Sequence, residues 1–318
     1  NTVATNPADL ATSFTQAERN LVSAKVLEKC DALDGASDGL VQDVKACQAA
    51  FSLDRDVPTC GTERNGSCLS TPQKTALANI FRGARNSAGT AIYAGFPFDP
   101  GITSANWASW KFQSSIGAAR DPVAVGFIFQ VPPAPTSILS DTKAFALGFS
   151  MDNDAPKITA TNALYTESSL SFMTPPNPTD LSKLKNRGAK MMVYHGTADG
   201  VFSPDDTVTW YDGLRAQNQG DASDFARLFL VPGMNHCSAG PATDQFDMVT
   251  ALVNWVEKGQ APASVTASAR GTGNAGGFNA DVPANWSATR TRPLCPYPQV
   301  ARYNGTGDIE SAASFSCR

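Results

Sequence analysis

Two stretches decide the fold: Lys190-Met191-Met192-Val193-Tyr194-His195-Gly196-Thr197-Ala198-Asp199-Gly200, and further on Ala226-Arg227-Leu228-Phe229-Leu230-Val231-Pro232-Gly233-Met234-Asn235-His236-Cys237. Lys190–His195 is a short apolar run stopped by Gly196, and Ala226–Val231 is a second run stopped by Pro232-Gly233. Short apolar runs bounded by turn residues read as buried strands. Between them, Asp205 to Gln217 follows Ser203-Pro204 as a helix follows its cap. After the second run, Asp244 to Lys258 carries Phe246, Val249, Leu252, Val253 and Val256 at helical spacing. Strand, loop, helix, then the same again, is the order of a parallel α/β sheet. In such sheets the reacting groups gather outside the carboxyl ends of the strands. Asp199 stands there after the first strand and His236 after the second.

An acid after one strand and a histidine after the next is the second half of the hydrolase order Ser, Asp, His. The histidine takes a proton from a nucleophile, while the carboxylate fixes its tautomer and stabilises the imidazolium. Taken singly, Asp199 also reads as a turn residue and His236 as a loop histidine. No GxSxG nucleophile elbow accompanies them, and Gly148-Phe149-Ser150-Met151-Asp152 fails at its last position. Two strands also leave a sheet with open edges and too little pairing for independent stability. The chain therefore reads as part of a larger whole.

The rest of the sequence sets limits. In 318 residues, 25 Lys and Arg stand against 29 Asp and Glu, a net charge of −4, which gives no basic face for nucleic acid. Hydrophobic residues make up 42%, enough to bury a core, but no run approaches the ~20 apolar residues of a membrane span. No charged region followed by an apolar stretch marks a signal peptide, and the sequence opens at Asn1 without Met, as a processed or excised chain would. Asp9 to Lys29 reads as a helix. From Cys30 to about Thr179 the text is irregular and rich in Pro, Gly, Asn and Ser, with short helices expected around Ser70–Arg85 and before Asp180. Thr179-Asp180-Leu181 opens another short helix, with Asp or Thr as its cap. Residues 1–179 thus read as an elaborate cap over the α/β part, residues 180–318. The glycine-rich Arg270–Gly277 neither follows a strand nor opens a helix, so it reads as a surface loop and not a phosphate loop.

Seven cysteines is an odd number. Neighbours in sequence pair as Cys30 with Cys47, Cys60 with Cys68 and Cys295 with Cys317; proximity is a preference among many connectivities. Cys237 is left over, and a spare cysteine implies a partner elsewhere or a reactive thiol. The lack of any CxxC and the presence of only two histidines argue against a zinc site. Sequons at Asn65, Asn285 and Asn304 fit a secreted eukaryotic protein but also arise by chance. The cysteine usage points to an extracellular or periplasmic protein.

A second constellation is Cys30-Asp31-Ala32-Leu33-Asp34-Gly35-Ala36-Ser37-Asp38-Gly39-Leu40. Asp31, Asp34 and Asp38 repel one another unless a cation neutralises them, and calcium takes carboxylates and backbone carbonyls in a tight glycine-containing loop. The carbonyls of Ala36 and Leu40 lie between and beyond them. An Asp-Gly turn cluster without metal explains the composition equally well.

Together the segments CDALDGASDGLVQDVKACQAAF, MMVYHGTADGVFS, ARLFLVPGMNHCSAGPATDQFDM and TRPLCPYPQVARYNGTGDI resemble the tannase and feruloyl esterase family of α/β-hydrolases, near its MHETase-like branch. The resemblance runs from Cys30 to the C-terminus. It implies the C-terminal part of an α/β-hydrolase sheet plus a large, irregular, disulfide-bonded, calcium-binding lid. It implies Asp199 as acid and His236 as base in hydrolysis of esters of aromatic acids. Asp31, Asp34, Ala36, Asp38 and Leu40 match the Ca2+ loop, and the three local cysteine pairs agree with the family's arrangement. Trp110 resembles a lid aromatic that stacks on the substrate ring and Phe202 a pocket residue, and each also reads as plain core packing; Arg120 resembles a lid arginine that grips a substrate carboxylate. Cys237 is expected to bond to a cysteine beside the nucleophilic Ser, which the family carries N-terminal to the matched region. The expected partner is therefore the N-terminal half of the hydrolase, and this chain alone is expected to be inactive. The rival reading is a non-catalytic, calcium-stabilised binding module with Cys237 as a free thiol.

Overall fold

The fold is given by a computed structural model, which describes residues 10–61, 63–114 and 120–318. Asp9, where the first helix was expected to begin, lies outside the described residues. Helix α1 (Gln16–Cys30) starts on a capping box, in which the Thr15 hydroxyl accepts from Glu18 N and the Glu18 carboxylate accepts from Thr15 N. Helix α2 (Thr71–Arg82) starts the same way on Ser70 and Gln73. These two helices enclose the core of the irregular part, built on Phe14, Val22, Val26, Leu77, Phe81 and Trp107. Helix α3 (Arg120–Phe127) lies further along the same part. Two short disulfide loops, Cys30–Cys47 and Cys60–Cys68, cross-link this region, where regular structure supplies little of the order.

Helix α4 (Ser182–Asn186) begins later than its expected cap. Asp180 does not cap it: its carboxylate accepts from Ser182 N at 3.0 Å, closing a turn on the backbone two residues ahead, and Leu181 takes the cap position. Strand β1 (Met191–Gly196) then pairs in parallel with β2 (Ala226–Val231), from Met191 opposite Ala226 to Gly196 opposite Val231. They are joined over the top by helix α5 (Pro204–Gln217), capped by Ser203. Leu228, Tyr211, Leu214 and Phe225 pack between helix and sheet.

The remaining strands are short and antiparallel. Strand β3 is Gln245–Phe246; it pairs with β4 (Val265–Ser268), which pairs with β5 (Thr291–Leu294). Helix α6 runs over Met248–Lys258, so it starts four residues after the expected Asp244. The reason is competition: Gln245 and Phe246 are taken into the ladder with β4, and Asp247 becomes the cap by accepting from Thr250 N. The expected core stripe of this helix is also reversed. Met248 and Trp255 are buried, whereas Val249, Val253 and Val256 face solvent.

Strands β6 (Ala301–Tyr303) and β7 (Phe315–Cys317) form a last hairpin, tied back by Cys295–Cys317. This C-terminal region locks onto the irregular part. Arg292 forms a buried ion pair with Asp38, Arg302 pairs with Asp43 at 2.6 Å, and Leu40, Ala269 and Trp286 share a small core. Asn65, Asn285 and Asn304 are exposed. Among the described residues, no helix is long and apolar enough to cross a membrane.

Candidate active site

The carboxyl ends of β1 and β2 are pressed together. A Cβ added to Gly196 would sit 2.2 Å from the Met234 carbonyl oxygen, so the strand end admits only glycine beneath the loop that carries His236. Asp199 follows in a turn that feeds its carboxylate: Oδ1 accepts from Val201 N at 2.7 Å and from Phe202 N at 3.0 Å. Oδ2 lies 3.0 Å from His236 Nδ1, so that nitrogen donates and Nε2 keeps the lone pair. Burial alone would raise the Asp199 carboxyl. The hydrogen bonds from His195, His236 and the two amides outweigh it and hold the group below the ordinary carboxylate value. The structure therefore brings together the two residues singled out from sequence, with an ionised carboxylate behind the imidazole.

The residues named beside them also converge. The Trp110 ring meets the His236 ring edge-on at 5.2 Å, and the Phe202 ring meets it at 5.5 Å. Arg120 stacks its guanidinium 4.3 Å over Trp110 and pairs with Asp121, so its position is coupled to that aromatic wall. Next to Trp110, Lys111 places Nζ 3.4 Å over the Phe96 ring, and burial pushes its ammonium down to about 8 against the pull of Asp199. Cys237, adjacent to His236, is exposed, adopts φ +64°, and has no disulfide partner among the described residues.

Two residues of this region were not singled out from sequence. His195 lies 3.3 Å from Asp199 Oδ2, so both histidines of the chain meet one carboxylate oxygen. Its signals were its scarcity and its place four residues before Asp199. Asp99 is fully buried and braces three segments: it accepts from Thr197 Oγ1 at 2.6 Å, from Gly101 N at 2.8 Å and from Gly233 N at 3.4 Å. Thr197 precedes the acid and Gly233 precedes the histidine, so one carboxyl from the irregular part ties both loops. Burial holds the Asp99 carboxyl above its ordinary value, and these donors offset only part of that rise. A Cβ on Gly101 would meet Ala198 Cβ at 2.3 Å, which shows how closely that part approaches the acid loop. Nothing in the local sequence announces Asp99.

The Asp31–Leu40 loop holds its carboxylates by its own backbone. Asp31 accepts from Asp38 N and Gly39 N, and Asp34 Oδ1 accepts from Ala36 N at 2.9 Å. Asp38 is already matched by Arg292 and by Leu40 N. Among the described residues no three acidic, His or Cys side chains converge on one point. What fits a hard cation is the charge left over: Asp34 Oδ2 is buried without a partner, and burial followed by repulsion from Asp38 and Asp31 raises its carboxyl to about 7.

The family model described as tannase and feruloyl esterase matches residues 2–318. The chain is 42% identical over 331 residues to a mono(2-hydroxyethyl) terephthalate hydrolase of Piscinibacter sakaiensis, covering 96% of this chain and 52% of that protein. It is 30% identical over 297 residues to a probable feruloyl esterase of Arthroderma benhamiae, covering 91% of this chain and 50% of that one. The crystal structure of feruloyl esterase B from Aspergillus oryzae superposes with a TM-score of 0.65 at 21% identity, over 99% of this chain and 58% of that chain. Tannin acyl hydrolase from Aspergillus niger superposes at 0.62 and 17% identity, over 95% and 53%. These likenesses establish the α/β-hydrolase type of fold. The chain spans about half the length of the relatives it matches.

Proposed function

The chain belongs to the tannase and feruloyl esterase family, and from that premise we propose that it contributes the acid and base of a serine carboxylesterase acting on esters of aromatic acids. The observation that carries the reading is the 3.0 Å contact between Asp199 Oδ2 and His236 Nδ1, flanked by the Trp110 and Phe202 rings. His236 Nε2 takes the proton of a serine hydroxyl as the oxygen attacks the ester carbonyl, then returns it to the departing alcohol. Water, deprotonated by the same nitrogen, attacks the acyl-serine; the acyl–oxygen bond breaks, the serine oxygen takes the proton back from His236, and the aromatic acid leaves. Asp199 stabilises the imidazolium between these steps without taking up the proton. The aromatic rings beside His236 supply a wall for the acyl ring, and Arg120 stands behind Trp110 as the cation for a substrate carboxylate.

The serine and the oxyanion donors come from a further segment of the hydrolase. Supporting this, the chain covers about half of its relatives, and Cys237 stands exposed beside His236 where a cysteine next to that serine would bind it. The irregular residues up to 179 serve as the lid. Asp31, Asp34 and Asp38, with the Ala36 and Leu40 carbonyls, would hold Ca2+, which supplies charge neutralisation in the lid rather than chemistry at the ester. Three disulfides favour an oxidising compartment, outside the cell or in the periplasm. The test is replacement of His236 by Ala and of Asp199 by Asn in the assembled protein, assayed on methyl ferulate. Loss of turnover in both supports the reading; full activity in either refutes it.

A further inference from the structure

The second histidine of the chain, His195, also has a place in this site. His195 is the penultimate residue of β1, and its side chain is 14% exposed. Its Nε2 faces two oxygens, Asp199 Oδ2 at 3.3 Å and the Phe202 carbonyl at 3.1 Å. An ionised carboxylate and a carbonyl only accept, so Nε2 carries the hydrogen. On the far side of the ring, Nδ1 lies 2.8 Å from Thr207 Oγ1, on α5. The imidazole is thus pinned from behind by a helix and delivers its proton between the acid and the backbone of the aromatic wall.

We propose that His195 is a positioning residue: it holds the Asp199 carboxylate, and with it the tautomer and orientation of His236, while fixing the Phe202 carbonyl and so the ring that packs on His236. Asp199 Oδ2 then serves two imidazoles at once, His236 in front and His195 behind. Without His195 the carboxylate keeps its two amide bonds on Oδ1 and His236 on Oδ2, but loses the second imidazole against Oδ2. A histidine present only to fill space would have no reason to aim one nitrogen at the acid and the other at a hydroxyl. The geometry stands by itself; the consequence for turnover rests on the esterase reading.

Because the chain has two histidines, a sample labelled with 15N-histidine gives two imidazole spin systems, assigned by single substitution. His236 is expected to show the Nδ1–H tautomer with a downfield Nδ1 proton. His195→Leu should shift that proton upfield or broaden it away, and should lower the Nδ1–H population of His236. His195→Gln, whose amide reaches the same two oxygens, should restore both. Thr207→Val should move the signal in the same direction by less, and it carries the test if His195→Leu does not fold. In the assembled esterase, His195→Leu should lower kcat on the order of tenfold or more, since a 1 Å misplacement can cost ~10²-fold, and His195→Gln should restore most of it. An unaltered His236 signal in folded His195→Leu or Thr207→Val, or equal loss in the Gln and Leu variants, overturns the proposal. An assembled wild-type protein without esterase activity would instead refute the esterase reading and leave the magnetic-resonance result to decide the role of His195.

Discussion

β1 and β2 are similar in composition and opposite in surroundings. Ala226, Leu228, Phe229 and Val231 of β2 are fully buried, between the cluster of α5 on one face and that of α6, β4 and β5 on the other. Beyond its pairing with β1, β2 also receives Tyr297 N on the Leu228 carbonyl at 2.7 Å. β1 has one strand partner among the described residues, Tyr194 at its centre is 48% exposed, and the neighbouring α6 turns Val249, Val253 and Val256 outward. At their carboxyl ends the two strands are alike again: the Asp199 and Asp99 carboxylates each accept several hydrogen bonds. Among the described residues, then, the pair is covered on the β2 side and open along the β1 edge. An apolar strand with an open edge is a template for more strands, and the relatives carry about as much chain again as this one.

The engaged end should be the more sensitive by far. Asp199→Asn in the assembled esterase leaves the geometry and removes the carboxylate behind His236, so kcat should fall by about 10³–10⁴-fold in a steady-state assay. Asp99→Ala should cost about 2 kcal/mol or more, because Thr197 and Gly233 lose a buried acceptor. The check is the urea midpoint of the chain. The Asp31–Leu40 loop is the exception at this end, since Asp34 remains unneutralised. Its carboxyl titrates near 7 instead of 3.8, so the folded state binds the proton more tightly than the unfolded one. Stability in chelator should therefore fall as pH rises from about 4 to about 7. Calcium should raise the melting temperature at pH 7 and much less at pH 4, and Asp34→Asn should flatten both trends. On the open side, Val253→Asp should change the stability of the isolated chain by no more than about 0.5 kcal/mol. The same change should weaken association with the further segment proposed above, and outward amides of β1 should exchange faster than those of β2 until that segment binds.

What could be read from sequence follows the same division. β1, α5 and β2 were legible because each is a long enough run with turn residues at its ends, and Asp199 and His236 were legible because strand order gives them meaning. The start of α6 was not: Gln245 and Phe246 fit the helical spacing, and only pairing with β4 removes them from it. The outward turn of Val249 and Val256 was likewise invisible, since periodicity identifies a stripe and not what lies against it. β3, β6 and β7 are two or three residues long, too short for alternation to show. Asp99 meets Thr197 across 98 positions, a separation at which no local pattern operates. The pairing of Cys30 with Cys47, Cys60 with Cys68 and Cys295 with Cys317 followed neighbour order, and the structure has all three.

The most direct test of the account is hydrolysis of methyl ferulate by the purified 318-residue chain, alone and after assembly with the segment that supplies the nucleophile. The account predicts no turnover by the chain alone above that of its His236→Ala variant, and turnover once the segment is present. Turnover by the chain alone at the rate of the assembly, abolished by His236→Ala, would contradict it.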